Sequence, residues 1–293
     1  MGVAALPTAD FIAAAIGRAG QLATLPEIAL EVMRIAEDPQ STGDDLNRVL
    51  ANDPTLSARV LRIVNSAYYG VRREVTSIST AIAMLGFGAV KNIAIAASLT
   101  RMFRTGTVPG GFEARDLWKH SIAVATASRL VATRAKGAEP SEAFLAGLMH
   151  DIGIIVELQA CREPFTLAIE ALAAMPELTF REAEVRHIGA DHEAFGAALC
   201  AAWRFPEALK RVSEYHHRPM ALPEPVRRLT AIVHVADHLA AQAGIGYART
   251  VEGSRIDPAI LDTLGLSTAD VDAISDVLTE QVAEVFPLLT GES

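Results

Sequence analysis

The chain contains eight histidines, all of them between positions 120 and 238. Imidazole is a neutral nitrogen donor that binds divalent metals and moves protons near pH 7; the grouping alone says little, and the position of these residues on helical faces says more. The surrounding pattern sharpens this reading. His120 shares a helical stripe with Leu117, Val124, Ala127 and Val131. Phe144 and Leu148 lead into the adjacent pair His150 and Asp151. His192 aligns with Phe195, Gly196, Leu199 and Trp203, while Leu209 and Val212 lead to His216, followed directly by His217. Asp237 belongs to a stripe of Val226, Leu229, Val233, Ala236 and Ala240. Five predicted helices thus carry a His or Asp where periodicity predicts core. A buried imidazole or carboxylate must be hydrogen-bonded, ion-paired or coordinated. Taken singly, each is a satisfied core histidine or an internal ion pair; one polar centre accounts for all five helices together. Asp151 and Asp237 would neutralise a cation and the imidazoles would supply nitrogen donors. Such N/O ligation without thiolate suits iron, manganese, zinc or cobalt better than calcium.

These groups must be positioned by helices. Alanine and leucine dominate, and aromatic residues make up only 5% of the chain, a mixture that favours helix over strand. The spacing predicts helices over 113–136, 140–158, 162–174, 179–187, 190–203, 206–217, 223–242 and 267–286, with Pro140, Pro206 and Pro223 at or near three of the starts. Upstream, Leu25-Pro26 precedes a periodic run through Ile28, Leu30, Val32, Met33 and Ile35. Asp53 and Pro54 make an N-cap and first position for a helix with the stripe Leu56, Val60, Ile63 and Val64. Asn65, Ser66, Tyr68 and Tyr69 close it as a helix-end turn or a partner-binding edge. Two more helices are expected over 76–85 and 86–102. The Pro/Gly-rich stretch from Thr105 to Gly111 reads as a linker. No strand alternation is evident. The expected fold class is all-α, a helical bundle at 112–293 preceded by an N-terminal helical subdomain at 1–104 and the linker at 105–111.

Bulk properties narrow the function. A net charge of -9 argues against a nucleic-acid partner, and the basic residues Arg59, Arg62, Arg72, Arg73, Lys91, Arg101 and Arg104 are scattered. The two cysteines, Cys161 and Cys200, have no CxxC spacing, which suits a reducing compartment rather than a disulfide scaffold. The first residues lack a basic n-region, and Leu6 breaks the myristoylation pattern. The apolar stretch Ala81–Leu99 is interrupted by Lys91 and Asn92 and reads as core, not as a membrane span. A cytoplasmic location without membrane attachment is expected.

The ordered motifs carry a resemblance. Leu117-Trp118-Lys119-His120-Ser121 followed by GLMHDIG (Gly147 to Gly153) resembles the core of the HD phosphohydrolase superfamily. LPEIALEVMRIAEDP, NDPTLSARVLRIVNSAYYG, TSISTAIAMLGFGAVKNIA, GADHEAFGAALCAAWRFPEAL and YHHRP together resemble the HDOD domain over about residues 20–240. The resemblance implies an HD-like helical bundle with metal ligands at His120, His150, Asp151 and Asp237. By comparison with the HD-GYP enzymes, which cleave cyclic di-GMP, His192, His216 and His217 would complete a site for two ions. Asp116, four residues before His120, stands where those enzymes place a glutamate ligand. The chain departs from HD-GYP enzymes in having Ile154 where HDIGK places a lysine, and Arg218-Pro219 where GYP would follow.

The resemblance therefore supports two functions. One is a regulatory or output module that binds a signalling protein or a small effector, such as a cyclic dinucleotide. The other is a metal-dependent phosphohydrolase acting on a cyclic dinucleotide or nucleotide, with Asp151 both holding metal and orienting or deprotonating water. Outside the motif, His187 and His238 read as surface or helix-end residues, and His234 as packing or as a support for Asp237. Glu184 reads equally as a ligand support or a solvent-facing group, and Trp118 and Trp203 as core anchors.

Overall fold

The computed structural model describes residues 9–22, 27–38, 40–66, 69–71, 73–103, 106–135, 137–253 and 255–290. Leu25-Pro26, Tyr68, Arg72, Arg104 and Thr105 of the sequence reading lie outside them. The chain begins with α1 (Ala9–Leu22), α2 (Glu27–Glu37), α3 (Gly43–Ala51), α4 (Pro54–Val64), α5 (Ile78–Leu85) and α6 (Phe87–Leu99). Local chemistry sets the starts. Thr42 and Asp45 form a reciprocal capping box on α3, and Asp53 accepts the Leu56 N–H at 2.9 Å ahead of Pro54 on α4. Gly86, at φ 87°, separates α5 from α6 in a conformation that a side chain would oppose. Helix α6 is buried from Ile93 to Leu99 because α2, α4 and α5 flank it and α8 lies beyond.

The expected linker is instead a small antiparallel hairpin, β1 (Thr107–Val108) and β2 (Phe112–Glu113). Gly110 lies against α10, where a Cβ would sit 2.8 Å from an Ile169 methyl. Strands this short carry no readable alternation, which is why the sequence reading missed them. Thereafter come α7 (Ala114–Ala135), α8 (Pro140–Met149), α9 (Ile152–Ala160), α10 (Arg162–Ala174), α11 (Phe180–His187), α12 (His192–Ala202), α13 (Glu207–Tyr215), α14 (Arg227–Gln242), α15 (Pro258–Leu264) and α16 (Thr268–Thr290). The long α7 is central, packed against α8, α14 and α16. Helix α1 lies on α9 and α12, with Phe11 edge-on to Phe195 at 6.3 Å, and α16 reaches α4 as well as α7. The buried apolar residues form one contiguous core. Arg228 ties helix ends together, its guanidinium donating to the carbonyls of Ala135, Thr263 and Leu264.

The expected helix over 140–158 is broken. It ends at Met149, and a new helix begins at Ile152, with His150 and Asp151 at the joint. Pro140–Ala160 has the length and apolarity of a membrane span, but 89% of its apolar 18-residue window is buried within the fold.

Candidate metal centre

His120 is aimed by α7 and by a glycine across from it. A Cβ at Gly246, which has φ 72°, would lie 2.4 Å from both the Asp116 carbonyl oxygen and the His120 nitrogen. The bare backbone therefore seats closely on α7. Tyr247 donates its N–H to the Asp116 carbonyl at 3.0 Å, and the Ile245 carbonyl faces His120 Nδ1 at 3.4 Å. This leaves His120 Nε2 pointing inward, 2.9 Å from Asp237 Oδ1 on α14.

The two glycines of GLMHDIG act in the same way. At Gly147 a Cβ would meet Ser128 Oγ at 2.5 Å and Ala125 Cα at 2.9 Å, so α8 lies directly against α7. At Gly153 a Cβ would sit 2.0 Å from the His192 carbonyl oxygen, which brings α9 against the start of α12. Between them, His150 donates Nδ1–H to the Gly147 carbonyl at 2.7 Å. Its Nε2 is 3.2 Å from Asp151 Oδ2 and 3.6 Å from Asp237 Oδ1, without hydrogen-bond alignment to either.

The third part comes from α12 and the end of α13. The Glu184 carboxylate on α11 accepts from His192 Nδ1 at 2.8 Å and from the His192 backbone N–H at 3.2 Å. The carbonyl of Val212 faces His216 Nδ1 at 3.2 Å. His192 Nε2 then lies 3.0 Å from His217 Nε2, 3.4 Å from His216 Nε2 and 3.5 Å from Asp151 Oδ1. The inward donors form two groups, His120-His150-Asp151 and Asp151-His192-His216-His217, which share Asp151.

The chemistry of this arrangement follows from the tautomers. At His120, His150, His192 and His216 an oxygen acceptor faces Nδ1, so that nitrogen carries the proton and Nε2 presents a lone pair. Lone pairs and carboxylate oxygens therefore meet in the interior, and neither Asp151 oxygen has a hydrogen-bond donor among the described residues. All of these groups except His217 are at most 1% exposed; His217 is half-buried. A cation satisfies such an all-acceptor centre. Donors bonded at about 2.0–2.1 Å around a tetrahedral ion lie roughly 3.3–3.4 Å apart, close to the separations of the second group. The residues thus fit a metal.

Protons compete for the same lone pairs. Burial alone would lower the pKa of His150, but the carboxylates of Asp151 and Asp237 outweigh it and raise that pKa from 6.5 to about 9. Burial also pushes the Asp151 pKa up, yet His150, His216 and His192 hold it well below the usual carboxylate range. His217 is pressed well below 6.5, first by burial and then by the neighbouring His216 and His192, so it stays neutral and keeps a lone pair to offer.

The structure brings together seven of the expected residues: His120, His150, Asp151, His192, His216, His217 and Asp237. Asp116 is a correction. Its side chain is exposed and belongs to neither group; what it contributes is its backbone carbonyl, which seats Tyr247. Four residues on a helix advance one full turn along the axis, and that turn carries Asp116 away from the centre. His238 is also corrected from surface to core: it is 3% exposed, with Nδ1 3.0 Å from the His234 carbonyl. His187 is half-buried on α11, and His234 Nδ1 donates to the His216 carbonyl at 2.7 Å, steadying the end of α13 rather than Asp237. Glu184 is buried and holds His192. Trp118 is buried and stacked on Phe103 at 4.4 Å, and Trp203 is half-buried at the end of α12.

Sequence reasoning missed Glu193. It is fully buried and collects the guanidinium groups of Arg181 (3.2 Å) and Arg218 and the His217 backbone N–H (3.3 Å). An acidic residue beside His192 in a helix N-terminus gives no signal distinct from solvent exposure. Ile154, at the position of the HD-GYP lysine, is fully buried.

The sequence profile of the HDOD domain matches residues 22–219. An uncharacterized protein of Treponema pallidum (strain Nichols) is 23% identical over 231 residues, covering 78% of this chain and 44% of that protein, so the chain spans less than half the length of this curated relative. A crystal structure of an HDOD domain protein of unknown function from Geobacter sulfurreducens is 25% identical with a TM-score of 0.77, covering 96% of this chain and 99% of that one. A Shewanella amazonensis SB2B protein, provisionally named a phosphohydrolase, is 25% identical with a TM-score of 0.71 and coverage of 94% and 98%.

Proposed function

Because the chain belongs to the HDOD family, we propose that it is a regulatory binding module of bacterial signalling built on a centre for one or two divalent ions, iron, manganese or zinc. The observation that carries this reading is the closed, all-acceptor interior. Four imidazoles and two aspartates turn lone pairs toward one another while at most 1% exposed. A centre enclosed in this way suits a structural or sensory ion, whose loss would alter the surface offered to a signalling protein or small effector, a cyclic dinucleotide among the candidates. Both cysteines are free, in keeping with a reducing cytoplasm.

A second reading, metal-dependent hydrolysis of a cyclic dinucleotide or nucleotide, is favoured by one feature. His217 is half-buried and lies beside the exposed Arg218, whose guanidinium is paired with Glu193, so the second donor group lies toward solvent. A bound divalent ion would supply Lewis acidity and lower the pKa of water. In that reading Asp151 orients the water or takes its proton. The buried Ile154 in place of a lysine counts against it.

The test is elemental mass spectrometry on protein purified without a chelating tag, beside the His150→Ala/Asp151→Ala double variant. One or two ions per chain, absent from the variant, are expected. A folded wild type that neither carries metal nor takes it up would overturn both readings. Metal-loaded protein would then be incubated with cyclic dinucleotides and nucleotides: binding without turnover supports the module, and turnover abolished by Asp151→Asn supports the hydrolase.

A further inference from the structure

The apolar run of α6 is interrupted by Lys91 and Asn92, which the candidate metal centre does not use. Both line a recess where α2 and α6 meet α8 and the start of α13. Its apolar wall is Met33, Ile95, Leu145, Phe205 and Leu209, each at most 6% exposed, and Glu142 on α8 adds a carboxylate. The free space, open mouth included, is about 420 Å³. One hydrogen-bond chain sets the polar part. Ser141 Oγ donates to the Glu139 carboxylate, so its lone pairs are left to accept, and Asn92 Nδ2 donates to it at 3.1 Å. The Asn92 amide is thereby oriented, and its carbonyl oxygen, on a side chain 4% exposed, meets no donor among the described residues. Lys91 and Glu142 are the chain neighbours of this bonded pair. Each is half-buried, and neither forms an ion pair among the described residues. A cation, an anion and a buried acceptor therefore share one apolar recess with no partner there for any of them.

We propose that this recess is an effector site for an aliphatic α-amino acid of the leucine or methionine kind. Lys91 takes its carboxylate, Glu142 and the Asn92 carbonyl take its ammonium group, and the apolar wall takes its side chain. Charge and size separate this ligand from others. A fatty carboxylate would leave Glu142 unanswered beside apolar groups, and a simple amine would leave Lys91 so. One lysine set against one glutamate makes a poor site for a phosphate ester. The recess also lies near the low end of ligand pockets, roughly 300–1,000 Å³, so a cyclic dinucleotide with its two phosphates suits neither the charge nor the room. A ligand seated there touches α8, which leads into His150 and Asp151, and α13, which leads into His216 and His217. The proposal deepens the small-effector part of the function proposed above by giving it a place and a ligand class. Its test needs no metal, so the two readings can fail separately.

The test is titration calorimetry on the full-length chain with a chelator present, so that an amino acid binding through an ion adds nothing. The probes are leucine, methionine, isocaproate (leucine without its amine), isoamylamine (leucine without its carboxylate) and glycine. Leucine or methionine should bind once per chain, with a Kd of about 10 μM to 1 mM for so small a ligand. Isocaproate and isoamylamine should each bind about tenfold more weakly or worse, having lost a charge-assisted hydrogen bond, and glycine should not saturate the protein. Two variants at half-buried positions assign the contacts. Lys91→Met should weaken leucine by about tenfold or more and leave isoamylamine unchanged, whereas Glu142→Gln should do the same to leucine and leave isocaproate unchanged. Three results would each overturn the proposal. The first is no saturable binding of leucine or methionine, which would leave the recess to water. The second is isocaproate or isoamylamine binding as tightly as leucine. The third is leucine binding that neither variant weakens, which would place it elsewhere. The first two need no variant to fold.

Discussion

Replacing Gly153 with alanine probes the contact on which the second donor group depends. The added Cβ would sit 2.0 Å from the His192 carbonyl oxygen and 2.7 Å from the Gly196 nitrogen, both backbone atoms that no rotamer change can move aside. Restoring ordinary contact distance requires α9 and α12 to separate by about 1.4 Å. Carried along the line from Asp151 Oδ1 to His192 Nε2, now 3.5 Å, that shift stretches the pair to about 4.9 Å, beyond the roughly 4.2 Å that two donors on one ion with 2.1 Å bonds can span. Overpacking costs about 1–3 kcal/mol or more, offset by about 0.5–1 kcal/mol from the lower backbone entropy of alanine in a helix. Both clashing atoms are backbone, so the cost lies at the upper end, and the net loss of about 2 kcal/mol corresponds to a Tm fall of roughly 5 °C, at about 2–4 °C per kcal/mol. Gly88→Ala is the control, because its Cβ would meet nothing within 4 Å. Calorimetry and elemental analysis should show Gly153→Ala less stable and short of the ion proposed for Asp151, His192, His216 and His217, with Gly88→Ala as stable as wild type or better. Wild-type Tm and metal content in Gly153→Ala would refute the argument that this close contact sets the centre.

The metal-free protein should lose stability as pH rises from 6.5 to about 9. The folded His150 pKa of about 9 lies above its unfolded value, so its contribution is full below 6.5 and gone above the folded pKa. The loss is about 3 kcal/mol at 1.36 kcal/mol per unit, counting the attraction to the aspartates once, and urea titrations at the two pH values that show no difference would contradict it. Metal affinity should rise across the same window, because each ion displaces a proton; calorimetry in buffers of different ionisation enthalpy should report proton release, and none would argue against His150 as a ligand. Arg228→Met should cost about 2–3 kcal/mol by orphaning the carbonyls of Ala135, Thr263 and Leu264, with metal content unchanged. Asp53→Ala should cost about 1 kcal/mol through the lost cap of α4, read in the same melts, and a change in metal content there would show coupling that the packing does not predict.

The donors were legible in the sequence because a polar residue in an apolar helical stripe is a visible contradiction. His120, His192, His216 and Asp237 each break their stripe, and the structure places all four in the interior. The break between α8 and α9 was not legible. Every residue from Ala143 to Leu158 is buried, so periodicity gave no contrast, and the joint depends on where His150 and Asp151 must face. Supports such as Glu184 and Glu193 were obscure for a different reason. Their partners, His192, Arg181 and Arg218, come from other helices and turns, and only tertiary folding brings them within reach. Asp116 failed because helical phase alone says nothing about position along the axis.

The shortest stretch that includes every inward donor runs from His120 to Asp237, and its members come from α7, the α8–α9 joint, α12, the end of α13 and α14. No single hairpin or helix pair holds a usable fraction of them. A peptide cut from this protein therefore cannot serve as a miniature of its centre. Only the completed tertiary fold brings these donors together, so under the proposed reading a chelator would act on a site of the whole bundle rather than on a detachable part.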